Sequence, residues 1–272
     1  MRNLLSRRNL LHLARTVGPD GVLAFDFDGT LAPIVAVPGA AGMRDETRHL
    51  LVAISELRPV VIVSGRSVAD VTPRLHGVRT AAIVGNHGVE PSAAMAGAKR
   101  TVAGWRPLLD ATVGRLAGVH VEDKVYSIAV HYRHASSPRM VREVLAEVRR
   151  QLGDAVRVTE GHALVNLVPA GAPTKGDAVR WVEARLSARV VLYAGDEETD
   201  EDAFAVLDQT RSVGVRIGKS KRSSARFYLP GQEAVDSMLQ HVLSVVQRGA
   251  ARRSPGRPSR APLASVSAQA RE

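Results

Sequence analysis

LAFDFDGTLAPI, residues 23–34, places Asp26 and Asp28 directly behind the apolar run Leu23–Phe25 and directly ahead of Gly29 and Thr30. GVLAF, residues 21–25, is too short for a helix and lacks polar alternation, which predicts a strand covered on both faces, as in a parallel sheet. In such folds ligands sit beyond the carboxyl ends of the strands, and Asp26 is the first residue off that end. Two carboxylates there cannot both stay ionised cheaply unless a cation lies between them or one is protonated. A hard divalent ion such as Mg2+, held by carboxylates, waters and a substrate phosphate, meets that demand. Read alone, the DGT stretch also fits a turn in which the aspartates act as caps.

Working outward, PVVIV (59–63), TAAIV (80–84), RVVLYA (189–194) and SVGVRI (212–217) repeat the same short apolar pattern. Between these strands lie helices with recognisable starts. Ser67, Thr174 and Thr199 each precede a helical pattern with an aspartate three residues on, Asp70, Asp177 and Asp202, in the manner of a capping box. Alternating strands and helices predict an α/β fold with a Rossmann-like, doubly wound parallel sheet. From Trp105 to Pro173 the rhythm changes to helix, hairpin, helix, hairpin. HVEDKVYSIAVHYR (120–133) and VRVTEGHALVNLVP (156–169) flank a helix with Val141, Val144, Leu145 and Val148 on one face. The expected organisation is an amphipathic helix over 1–20, a core over 21–104 and 174–248, an α+β insert over 105–173 forming a lid, and a disordered basic tail over 249–272.

Composition narrows the function. The 272 residues are 45% apolar, contain no cysteine and carry a net charge of +10. Absence of cysteine removes disulfide and thiolate chemistry and suits a reducing cytoplasm, the expected location. No uncharged stretch reaches the roughly 20 apolar residues of a membrane span, and Arg7, Arg8 and His12 break the leucine-rich N-terminus, so no signal peptide is read there. Six arginines between Arg248 and Arg271, against Glu272 alone, supply about half of the excess charge. That placement in a Pro/Ser/Ala-rich tail argues against a nucleic-acid surface on the folded body.

Each later strand also ends in polar groups. Ser64, Gly65 and Arg66 follow PVVIV, Asn86 and His87 follow TAAIV, and Asp196 with Asp200 follows RVVLYA; Lys175 opens the helix that returns from the insert. A hydroxyl, backbone N–H groups and an ammonium are what a phosphate dianion requires. A third carboxylate at Asp196 completes a cation's protein ligands. Taken singly, Ser64 also fits a helix cap and Lys175 a surface lysine.

The set Asp26-x-Asp28-Gly-Thr, Ser64-Gly-Arg, Lys175-Gly and Gly195-Asp196-x-x-x-Asp200 resembles the four motifs of the haloacid dehalogenase superfamily of aspartyl-phosphate phosphatases. FDFDGTLAPI, SGR, GNHG, HYR, PTKGDAV and GDEETDEDAF resemble the trehalose-phosphatase family in particular, over residues 23–204. The resemblance implies a haloacid dehalogenase-like core with a type 2 cap, Mg2+ as cofactor, and a trehalose 6-phosphate phosphatase acting as a monomer on a small sugar phosphate, with no membrane or nucleic-acid partner. It implies Asp26 as nucleophile, Asp28 as general acid and base, and Ser64, Gly65 and Lys175 on the phosphate. Mg2+ would be held by Asp26, Asp196 and the Asp28 carbonyl, with Asp200 behind them. Arg66, Asn86, His87, Glu122, Lys124, His131, Arg133 and Asn166 are the expected sugar-side residues. Glu122 and Lys124 have opposite parity to His131 and Arg133, so a turn or bulge near Lys124–Val125 is needed for all four to face one ligand. Two positions depart from the family pattern: Glu197 where a second aspartate is usual, and Asn166 where a glutamate is implied to touch the sugar. Another disaccharide, pseudo-disaccharide or sugar phosphate is therefore the alternative substrate.

Overall fold

The computed structural model describes residues 1–18, 20–161 and 163–251. In chain order its elements are β1 (Arg2–Asn3), α1 (Arg7–Thr16), β2 (Gly21–Phe25), α2 (Asp45–Ser55), β3 (Val60–Val63), α3 (Val68–Val71), β4 (Thr80–Val84) and α4 (Met95–Ala111). There follow β5 (His120–Asp123), β6 (Ile128–His131), α5 (Pro138–Leu152), β7 (Val156–Gly161), β8 (Leu164–Pro169), α6 (Lys175–Leu186), β9 (Val190–Gly195), α7 (Asp200–Val206), β10 (Val213–Ile217), β11 (Phe227–Leu229) and α8 (Ala234–Ala251).

Seven strands form one sheet in the order β1-β11-β10-β9-β2-β3-β4, every pair parallel. Alternation explains its double coverage. Leu23, Phe25, Val60, Ile62, Leu192 and Ala194 pack on one face in a cluster with α1, α2 and α8, while Val22, Ala24, Val61, Val63, Val191 and Tyr193 pack on the other with α6 and α7. Burying each Val, Leu or Ile side chain contributes roughly 1.5–3 kcal/mol, which is why no polar residue interrupts these strands. TAAIV differs from the expectation of coverage on both faces: β4 is the sheet edge and only its last residue is fully buried. The N-terminus also differs, since Arg2–Asn3 adds a short edge strand beside β11 before α1 begins.

A second, antiparallel sheet, β5-β6-β8-β7, packs one face against α4 and α5 around Trp105, Leu109, Val130, Val141, Val148 and Leu167. Residue 105 is not a boundary. α4 runs unbroken from Met95 to Ala111, and Val102 already belongs to the cluster of the second sheet. At the other end, residues 249–251 continue α8 instead of opening the tail, because the apolar stripe Val235, Met238, Leu239, Val242 and Val246 holds that helix on the main sheet. The remainder of the tail lies outside the described residues.

Two of the three expected helix starts are capped by side chains. Ser67 accepts from the Asp70 N–H, and Thr174 with Asp177 forms a full capping box at the start of α6. Thr199 does not cap α7; its own backbone is already helical, and the Asp200 N–H turns back to the Glu197 carbonyl. Among the described residues, no helix is long and apolar enough to cross a membrane.

Candidate active site

β2 and β9 lie side by side at the centre of the main sheet, with β3 continuing on one flank and β10 on the other. Their carboxyl ends are where loops diverge and a ligand can enter. Asp26 leaves β2 with its N–H donated to the Ala194 carbonyl at 2.9 Å, so the ladder delivers its carboxylate next to the end of β9. The chain then folds back tightly, the Gly29 N–H donating to the Ala32 carbonyl and the Ala32 N–H to Phe27. Gly29 has φ +77°, and a Cβ there would fall 2.1 Å from Asp196 Oδ2. Glycine is thus required twice, for the turn and for the carboxylate packed on it.

Lys175 opens α6, is 1% exposed and extends its Nζ to Asp26 Oδ1 at 3.0 Å and Asp200 Oδ1 at 2.8 Å. Burial alone would lower its pKa, but the Asp200 and Asp26 carboxylates reverse that and raise it, so Lys175 stays an ammonium. Asp200 is fixed further by the Tyr193 hydroxyl at 2.7 Å and the Glu197 N–H at 2.8 Å. Burial pushes the Asp26 carboxyl well up, against the pull of Lys175. Asp196, whose Oδ1 accepts from Thr30 at 3.0 Å, is pushed up to about 7 by burial and by Asp200 and Glu197.

Asp26, Asp196 and Asp200 offer carboxylate oxygens within 4.8 Å of one another. Three carboxylates against the Lys175 ammonium leave an excess of two negative charges, and an all-oxygen donor set suits a hard divalent cation. The residues therefore fit a metal. Both Asp200 oxygens are engaged by protein donors, so Asp26 and Asp196 are the better direct ligands.

Asp28 is held differently. Arg66 grips it with Nε and Nη2 at 2.6 and 2.7 Å while its Nη1 reaches Asp70 at 2.7 Å, and the guanidinium lies over the Phe27 ring. Arg66, expected at the sugar, is thus first a partner of Asp28. Ser64 is fully buried at the end of β3 and its Oγ accepts from the Arg66 N–H, leaving the hydroxyl proton to donate. Asn86 and His87 have φ of 48° and 56° in a loop pressed onto its neighbours: a Cβ at Gly65 would meet the His87 ring at 2.5 Å, and one at Gly88 the Thr174 carbonyl at 2.3 Å. Asn86 Nδ2 and His87 Nδ1 are buried without a partner among the described residues. Burial, followed by the charges of Lys175, Lys124 and Arg157, lowers the His87 pKa to about 3, so the imidazole is neutral.

Val168, in one row with Arg157, packs with Val89 and Ala98, which sets the polar face of the second sheet beside the loop that carries Asn86 and His87. The register pairs Glu122 with Ala129 and Ala129 with Asn166, forming one row, and pairs His120 with His131. The expected turn is present: Val125 has φ +71° and the Lys124 N–H closes onto the Ser127 carbonyl. The hairpin brings His131 Nε2 within 2.8 Å of Glu122 Oε2. Asn166 Oδ1 is buried on that face with no partner among the described residues. Arg133 lies past the end of β6, exposed. Thr30, Tyr193 and Arg157 were not singled out in the sequence. Thr30 stands inside the DGT stretch, whereas Tyr193 sits in an apolar strand and Arg157 carries no motif, so only the first had a local signal.

The family model for trehalose-phosphatase matches residues 24–233. A trehalose-phosphate phosphatase of Mycobacterium avium is 39% identical over 225 residues, covering 75% of this chain and 57% of the relative. An uncharacterized glycosyl hydrolase of Mycobacterium tuberculosis is 38% identical over 229 residues, covering 75% of this chain and 17% of that protein. The chain thus spans little more than half of one relative's length and a small part of the other's. The solved C-terminal domain of Candida albicans trehalose-6-phosphate phosphatase superposes with a TM-score of 0.68 at 21% identity, covering 90% of this chain and 98% of that domain. The fold is shared with a solved haloacid dehalogenase-like hydrolase from Bacteroides thetaiotaomicron, at a TM-score of 0.53 and 16% identity, covering 84% of this chain and 98% of that one.

Proposed function

The chain belongs to the trehalose-phosphatase family, and from that premise we propose that it is a Mg2+-dependent phosphatase hydrolysing trehalose 6-phosphate to trehalose and phosphate. The observation that carries this reading is the buried Lys175 ammonium bridging Asp26 and Asp200 beside Asp196, at the ends of adjacent parallel strands.

One Asp26 carboxylate oxygen attacks phosphorus, the bond from phosphorus to the sugar oxygen breaks, and that oxygen takes a proton from Asp28. Water then attacks the aspartyl-phosphate, giving its proton to Asp28, and phosphate leaves with Asp26 restored. The Arg66-paired carboxylate is the acceptor form of Asp28, the form this second half uses. Lys175, Ser64 and the Gly65 N–H stabilise the equatorial oxygens. Mg2+ held by the Asp26 and Asp196 carboxylates and the Asp28 carbonyl, with Asp200 behind, would supply further positive charge to the transferring phosphoryl group. The second sheet, residues 105–173 with the start of α4, serves as the cap, its Glu122, Lys124, His131 and Asn166 meeting sugar hydroxyls. Arg133, Asn86 and His87 complete the sugar-side set, and the enzyme works as a cytoplasmic monomer.

A second reading, hydrolysis of another disaccharide phosphate, is favoured by the unpartnered buried Asn166 oxygen. Phosphate release from a panel of sugar phosphates with Mg2+ distinguishes them. Trehalose 6-phosphate is expected to give the highest kcat/KM, and Asp26→Asn to give none. Turnover that survives in Asp26→Asn removes the nucleophile assignment, and a better sugar phosphate removes the choice of substrate.

A further inference from the structure

Asp28 belongs to a chain of ion pairs that extends well beyond the site. Arg66 Nη1 meets Asp70 Oδ2 at 2.7 Å, and Arg74 Nη2 meets the other oxygen of the same carboxylate at 2.8 Å. Arg74 Nη1 then donates to the carbonyls of Gly39 and Ala41, at 3.0 and 2.7 Å. Those carbonyls end the loop that leaves Asp28 through Gly29 and Thr30. The polypeptide from residue 28 to 41 and the pairs Arg74–Asp70–Arg66–Asp28 therefore close a ring. The loop inside that ring carries Ile34 and Val37, 76% and 64% exposed. Its near end is also tied, since Gln232 donates to the Thr30 carbonyl. Asp70 is the shared element, one oxygen for each arginine, and its own helix turn is set by the Ser67 cap. The guanidinium grips Asp28 along one edge, and Asp70 holds Nη1 on the other side, so the carboxylate of Asp70 helps to set the plane in which Asp28 is gripped.

We infer that Asp70 and Arg74 are positioning residues for the hydrolysis: they hold Arg66, and through it the Asp28 carboxylate, in fixed register with the loop 33–41. Neither side chain touches the reacting atoms. Their effect falls on the half of the cycle in which the Arg66-paired carboxylate takes a proton from water. The inference rests on the phosphatase reading, and the test separates the two.

Arg74→Met and Asp70→Asn are compared with wild type on trehalose 6-phosphate and on 4-nitrophenyl phosphate, whose leaving group needs no proton. On the sugar phosphate, kcat is expected to fall about ten- to a hundredfold, with KM within about twofold. On the aryl phosphate, the first equivalent of nitrophenol per active site is released at the wild-type rate and only the later turnover slows. In an Asp28→Asn background, adding Arg74→Met changes neither rate further. A first equivalent slowed as much as turnover, a raised KM at constant kcat, unchanged kinetics, or additive losses with Asp28→Asn each overturn the inference. Asp70→Asn keeps the shape and the backbone cap, so it decides the matter if Arg74→Met does not fold. Wild type inactive on both substrates would instead defeat the phosphatase reading.

Discussion

His87 shows how a single side chain is set by what surrounds it. Its ring lies against Gly65, its Nδ1 has no partner among the described residues, and burial, then Lys175, Lys124 and Arg157, disfavour a proton on it. Neutral imidazole is the form that can hydrogen-bond a sugar hydroxyl or phosphate oxygen without adding a fourth cation. With its pKa depressed from 6.5 to about 3, His87 contributes stability that is complete above pH 6.5. That contribution is lost as pH falls from there through the folded value, because the unfolded chain takes up a proton that the folded one refuses. The slope is about 1.4 kcal/mol per pH unit, or about 2 kcal/mol at pH 5. Urea denaturation of wild type and His87→Gln between pH 8 and pH 4 should show this extra acid sensitivity in wild type alone. Equal pH dependence in the two proteins would mean that the ring is accessible to protons.

The elements differ in how openly the sequence announced them. β2, β3, β9 and β10 were legible because strands buried on both faces tolerate only apolar residues, and Asp26, Ser64 and Asp196 stood out as candidates because each lies just past such a strand. The two-residue β1 and the three-residue β11 were not: their partners lie far along the chain, and pieces so short carry no period. The boundary at residue 105 failed for a related reason. α4 keeps one helical stripe while its partners change, Ala98 packing beside Val89 after β4 and Val168 of β8, and Val102 joining the Trp105 and Leu109 cluster. Arg157 was invisible because its role comes from the β7–β8 register, not from a motif. The same register places Asn166 in a row with Ala129 and Glu122, where the small alanine leaves space between two polar side chains. If trehalose 6-phosphate fills that space, Asn166→Glu should preserve or raise kcat/KM for it and leave 4-nitrophenyl phosphate unaffected. A hydrogen bond to a charged acceptor contributes on the order of 1.5–3 kcal/mol, or about ten- to a hundredfold in selectivity. A falling rate on trehalose 6-phosphate together with a better alternative sugar phosphate would reverse the choice of substrate, because a buried carboxylate without a partner is costly.

At the scale of the whole molecule, the main sheet and the polar face of the second sheet meet over a cluster of like charges. Asp26 comes from β2, Asp196 from the end of β9 and Asp200 from α7, while Lys175 comes from α6 at the point where the chain returns from the second sheet. Segments distant in sequence are therefore brought together at these groups, above the strand ladders and apolar clusters beneath them. Without a cation the three carboxylates repel one another, and Asp196 is raised to about 7, so part of the fold's stability is withheld. A divalent ion that binds the folded chain and not the unfolded one restores it by mass action, about 2.7 kcal/mol at a hundredfold excess over Kd. For a chain of this size that is a rise in Tm of roughly 5–10 °C. Calorimetry of chelator-treated protein, with Mg2+ added back at pH 8, should show that rise in wild type and lose it in Asp196→Asn, where one ligand charge is gone. The variant should also start from a higher metal-free Tm than wild type at that pH, since it no longer ionises a buried carboxyl beside Asp200. An unchanged wild-type Tm, or an equal rise in Asp196→Asn, would place the ion elsewhere and leave the cluster to be neutralised by protons instead.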